Sequence, residues 1–100
     1  MTAVEAEFSL STVEMDQFRE QGFFGPCNLF SPDKMDELRP AIEAVLECDP
    51  PDHKEREHNR HLDQRLIWDV STHPAIVQRM QGLYGQDLLM WRTNFFVKSF

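Results

Sequence analysis

One hundred residues, 41% hydrophobic and 11% aromatic, support one small globular domain with a modest core. A net charge of -7 and a pI near 4.9 exclude the basic footprint of a nucleic-acid binder and any basic run that would hold the chain on an anionic membrane. The N-terminus lacks the basic start and apolar core of a secretory signal, and no stretch reaches transmembrane length; the location expected is cytoplasmic, with Cys27 and Cys48 as free thiols.

Residues 1–10 carry no periodic pattern and read as a loose tail. Ser11 and Glu14 then form the S-x-x-E capping box of a helix start, and Gly22 marks its end. Phe23 and Phe24 run into Gly25-Pro26, a turn signal after a short apolar segment expected to tuck against the core. Ser31-Pro32-Asp33 opens a second helix, with serine as N-cap, proline at the first position and an acid in the first turn. Met35, Leu38, Ile42, Val45 and Leu46 follow at helical spacing, and Pro40 inside that run is expected to kink or split it. Residues 47–59 turn polar around Pro50-Pro51 and read as an exposed, mobile loop. Thr72 and Pro74 announce a last helix through Ile76, Val77, Met80, Leu83 and Tyr84, ending near Gly82 or Gly85.

The run from Gly85 to Phe100 reads as one strand with two faces. Leu89, Trp91, Thr93, Phe95 and Val97 fall on one side; Leu88, Met90, Arg92, Asn94, Phe96 and Lys98 fall on the other. A guanidinium, an amide and an ammonium among bulky apolar groups suit the lining of a ligand pocket, although a solvent-facing strand has the same alternation. Arg92 is suited to clamp a carboxylate, Lys98 to present a point charge and Asn94 to hydrogen-bond beside them; the plainer alternative is surface ion pairing for the two cations and core packing for Trp91 and Phe95. No second strand of comparable strength lies upstream, so the chain is expected to be truncated or to depend on a partner.

His58, His61 and Asp63 form an H-x-x-H-x-D run of ligand types that suit iron or zinc. The alternative is hydrogen bonding or salt bridging of His61 and Asp63 with Arg60 or Arg65, with His58 solvated in its loop and His73 leading into the last helix. No phosphate-binding loop, nucleophile motif or zinc spacing is present, so the strand face is the best site candidate.

Four stretches carry a family resemblance: Gln21-Gly22-Phe23-Phe24-Gly25-Pro26, Ser31-Pro32-Asp33-Lys34-Met35, Arg60-His61-Leu62-Asp63, and Trp91-Arg92-Thr93-Asn94-Phe95-Phe96-Val97-Lys98. The chain resembles the N-terminal part of the phytanoyl-CoA dioxygenase family of Fe(II)/2-oxoglutarate-dependent enzymes, closest to the non-haem iron halogenases and related hydroxylases. The resemblance implies an α+β fold, in which N-terminal helices lead into the first core strand of a double-stranded β-helix, or jelly roll, whose remainder this chain lacks. Residues 11–100 would then be an incomplete oxygenase domain. The resemblance also implies Fe(II) and 2-oxoglutarate as cofactors, with chloride in a halogenase, and a small-molecule substrate or a carrier-protein-tethered amino acid. Asn94 and Phe96 would face the substrate with Arg92 beside them, and Lys98 would contact 2-oxoglutarate. The family's iron motif follows the strand matched by Trp91 to Lys98, so the iron role does not pass to His61 and Asp63. A non-catalytic module that pairs through its exposed strand, and a small zinc or iron protein using His58, His61 and His73, are the readings from other classes.

Overall fold

The computed structural model describes residues 7–51 and 55–98. Among these residues four α-helices, α1 (Thr12–Gln21), α2 (Pro32–Leu46), α3 (Arg65–Ser71) and α4 (Pro74–Tyr84), are joined by loops and by a 3-10 turn at Arg60–Leu62. The chain divides into two compact units, residues 1–29 with 73–89 and residues 30–72 with 90–100.

The first unit pairs α1 with α4. The capping box forms as the spacing predicts: Glu14 N donates to Ser11 Oγ at 3.1 Å and Ser11 N donates to Glu14 Oε1 at 3.0 Å. The Ser11 hydrogen bonds hold the Glu14 carboxyl below its ordinary pKa. Gly22 ends α1 in the left-handed region at φ 80°, where its N–H reaches Phe18 O. Phe18 meets Tyr84 edge-on, with centroids 6.1 Å apart.

Within the expected loose tail, residues 1–6 lie outside the described residues, but Phe8 and Leu10 are fastened to α4. Phe8 N donates to Gln78 Oε1 at 2.8 Å, its ring abuts His73 edge-on, and the Arg79 guanidinium sits over it at 5.5 Å. Leu10 lies against Gly82, where an added methyl would meet it at 3.5 Å. His73 caps α4 by accepting the Ala75 N–H, and Ala75 is fully buried. Phe23 is exposed, so only Phe24 of the apolar pair is even half-covered.

The second unit packs α2 and α3 around Leu38, Val45 and Ile67. Ser31 Oγ accepts from Lys34 N at 3.2 Å, and Pro32 takes the first helical position. Pro40 does not split α2, which runs unbroken through it. Proline cannot bond the carbonyl of Asp36, but both residues are exposed and water can serve that oxygen. Thr72 closes α3 rather than opening α4, since its Oγ1 and N both donate to Trp68 O. The α3 helix itself has no side-chain cap at its N-terminus, which is why no start signal is visible in the sequence.

The expected strand is not confirmed. Among the described residues no strand ladder forms; the segment makes a single antiparallel bridge, Asn94 with His58. Asn59 N donates to Thr93 O at 2.7 Å and Phe95 N donates to Glu57 O at 2.9 Å, so 58 and 94 form a wide pair with closely approaching side chains. The partner therefore comes from residues 57–59, within the polar stretch read as a loop. With only two backbone bonds on one edge, Trp91 is 82% and Phe96 90% exposed.

Both cysteines are free and exposed. Among the described residues no helix is long and apolar enough to cross a membrane.

Candidate functional site

In the second unit the resemblance-bearing stretches around Arg60 and Asn94 come together. Arg60 is 0% exposed and uses its whole fork. Nε donates to Asp63 Oδ1 at 3.0 Å and Nη2 to Oδ2 at 3.2 Å, while Nη1 donates to Val45 O at 2.9 Å and Arg56 O at 3.0 Å. Val45 lies in the last turn of α2, which has no basic residue of its own; beside the Cys48 N–H that bonds Val45 O at 3.1 Å, Arg60 adds a second donor and a positive charge at the negative end of the helix dipole. The Arg60 hydrogen bond holds the Asp63 carboxyl below its ordinary pKa of 3.8; burial opposes this and a bond from Gln64 adds to it.

This fixes the sign of an acid dependence. Because the folded pKa is lowered, the pair's stabilisation is complete above the unfolded value near 3.8 and is lost as pH falls through the lower folded value. The urea midpoint should therefore drop below pH 4 more steeply in the parent than in Asp63→Asn, which has no carboxyl to titrate. Equal slopes would mean that the pair contributes nothing.

Asn59 stands in the left-handed region at φ 54°, the conformation that lets its backbone N–H and its side-chain oxygen address the same residue. Its N–H bonds Thr93 O, and Thr93 N donates to Asn59 Oδ1 at 3.2 Å. His61 Nδ1 and Thr93 Oγ1 lie 2.8 Å apart, hydrogen-bonded in the direction the tautomer sets. Thr93 is held at three points.

Beside this clasp lies an open cleft of ≈ 240 Å³. Its walls are Ile42 from α2, Ile67, Val70 and Ser71 from α3, and Thr93, Asn94 and Phe95 from the extended segment. Three consecutive residues line it, so strict face alternation does not describe the segment. The lining is mainly apolar with an amide and two hydroxyls, which suits an apolar group bearing one hydrogen-bonding end.

Of the expected site residues, Asn94 alone lines this cleft, where it is half-buried. Phe96 and Lys98 are exposed. Arg92 is exposed and stacks its guanidinium over Trp91, 4.3 Å from the ring centroid. Trp91 is thus a surface platform, whereas Phe95 is half-buried. His58 Nδ1 approaches Glu55 at 3.3 Å, His61 is bound to Thr93 and Asp63 to Arg60, so the H-x-x-H-x-D run is divided among three partners. Among the described residues no three His, Cys, Asp or Glu side chains are placed to hold a metal ion. The clasp itself carries only one advance signal: two of the four stretches that bear the resemblance meet here.

No family model matches the chain, and no curated protein matches it. Among solved structures it is similar to CytC3 with Fe(II) and alpha-ketoglutarate, at a TM-score of 0.66 and 29% identity over 89% of this chain. The chain spans 36% of that protein's length. The likeness agrees with the Fe(II)/2-oxoglutarate resemblance carried by the sequence motifs.

Proposed function

We propose that this chain is the N-terminal portion of a non-haem Fe(II)/2-oxoglutarate-dependent oxygenase or halogenase that acts on an unactivated C–H bond of a small molecule or a carrier-tethered amino acid. The observation that carries this reading is the similarity, over 89% of the chain, to a structure holding Fe(II) and alpha-ketoglutarate. The described residues do not themselves fit an iron site, so on this reading the metal ligands lie elsewhere in a longer polypeptide. On this reading α2, α3, the Arg60 clamp and residues 93–95 would form one wall of the substrate site, and further strands would complete a jelly roll. Asn94 then orients a polar group of the substrate beside the apolar cleft, with Phe96 and Arg92 on the same substrate side and Lys98 directed to a carboxylate of 2-oxoglutarate.

The test is Fe(II)-dependent succinate release from 2-oxoglutarate by the longest polypeptide that carries this sequence. Turnover is expected there and not in the 100-residue chain alone. Tight iron binding with 2-oxoglutarate consumption by the short chain would overturn this division of labour, and no 2-oxoglutarate binding by the longer one would overturn the enzyme reading. Chlorinated against hydroxylated product separates halogenase from hydroxylase. The exposure of Leu89, Trp91, Phe96 and Val97 on a segment with one bridge also favours a second reading, a non-catalytic module that pairs through this edge. That module would form a stable folded complex without iron.

A further inference from the structure

The Asn59 and His61 side chains do not line the cleft, yet both grip the residue next to Asn94. We propose that Asn59 and His61 are positioning residues: by holding Thr93 at its amide, carbonyl and hydroxyl, they set where Asn94 and Phe95 stand along the cleft wall. The proposal deepens the enzyme reading, on which Asn94 faces substrate.

A single bridge with two backbone bonds leaves an extended segment free to slide or twist, because register needs a ladder or a buried face to specify it. Here the ladder is replaced by side-chain bonds. Asn59 precedes the 3-10 turn, and Leu62 N donates to Asn59 O at 3.1 Å, so the grip is continuous with the Arg60 turn. Arg60, fully buried, ties that turn to the end of α2, which also supplies the Ile42 wall. The α2 wall and the extended wall of the cleft are thereby referred to one helix, through Arg60, Asn59 with His61, and Thr93. A position held this way is insensitive to the exposed residues on either side, Trp91 and Phe96.

The test is a double-mutant cycle of His61→Ala and Thr93→Val, read by amide hydrogen exchange at Phe95 with Ile42 in α2 as the reference, together with the Asn94 side-chain amide resonance. Each single variant should speed exchange at Phe95 about fivefold, the equivalent of one hydrogen bond, and the double variant no more than either alone. Ile42 should be unaffected, and the Asn94 resonance should shift. His61→Asn, whose amide can stand where Nδ1 stood, should restore the parent rate, and Thr93→Ser should match the parent because it keeps the hydroxyl. Additive effects, equal acceleration at Ile42, or Thr93→Ser exchanging as fast as Thr93→Val would overturn the proposal. The measurement needs neither iron nor substrate, so its failure is distinct from an absence of succinate release.

Discussion

Arg60→Met is expected to destabilise the chain by about 3 kcal/mol, read as a lower urea midpoint with little change in slope. The guanidinium is fully buried and satisfies three acceptors at once: the Asp63 carboxylate, the Val45 carbonyl and the Arg56 carbonyl. Methionine fills much of the volume but leaves the carboxylate without its cation, an orphaned polar group costing about 1–3 kcal/mol, and strips the second donor and the positive charge from the end of α2, where Val45 O keeps only the Cys48 N–H. Lysine should recover little, because one ammonium cannot reproduce a fork that reaches Asp63 and two carbonyls together. Arg60→Met with Asp63→Leu should recover part of the loss, since the uncompensated carboxylate is then gone. Against a total stability of about 5–15 kcal/mol for a domain of this size, the single substitution removes a large share. A shift below about 0.5 kcal/mol, the scale of ordinary surface changes, would show that the clamp does not hold the unit together.

The sequence made the helices legible wherever a cap announces them. Ser11 with Glu14, Ser31 with Pro32, and Pro74 each open a helix where the local hydrogen-bond chemistry requires one. The α3 helix has no such signal, because Gln64 offers no capping bond and seven residues are too few for a clear 3.6-residue period. Residues 57–59 read as loop for a related reason: Glu57, His58 and Asn59 have neither β-branched bulk nor alternation, and their pairing with 93–95 is set by the Asn59 turn and the Arg60 anchor, both of which are tertiary. Salt bridging of Asp63 with Arg60 was one of the alternatives open from spacing, but the burial of Arg60 and its reach to Val45 were not. Asn94 could be singled out as a site residue; that Thr93 and Phe95 join it in the cleft could not, because a period of two assigns neighbours to opposite faces.

The second large effect is expected at Ile67. This side chain is 4% exposed and belongs both to the core of the second unit and to the cleft wall. Ile67→Ala should cost about 2–3 kcal/mol, the low end of the range for large-to-small core changes, because the space it vacates opens into an existing cleft and need not persist as a sealed void. Ile67→Val should cost about 1 kcal/mol, and Val70→Ala less than Ile67→Ala, since Val70 is only half-buried. The ordering separates two roles for α3. If the helix were only a rim of the cleft, both alanine variants would cost the same small amount; if it closes the core, Ile67 dominates. Core closure has a functional consequence on the enzyme reading, because the wall facing Asn94 is then as rigid as the core behind it. Enlarging the cleft at Ile67 should thus lower stability and loosen selection of the apolar group together, whereas Val70→Ala should change selection with little loss of stability. Urea midpoints of the three variants decide the first point, and the size of apolar group accepted by the longer polypeptide decides the second.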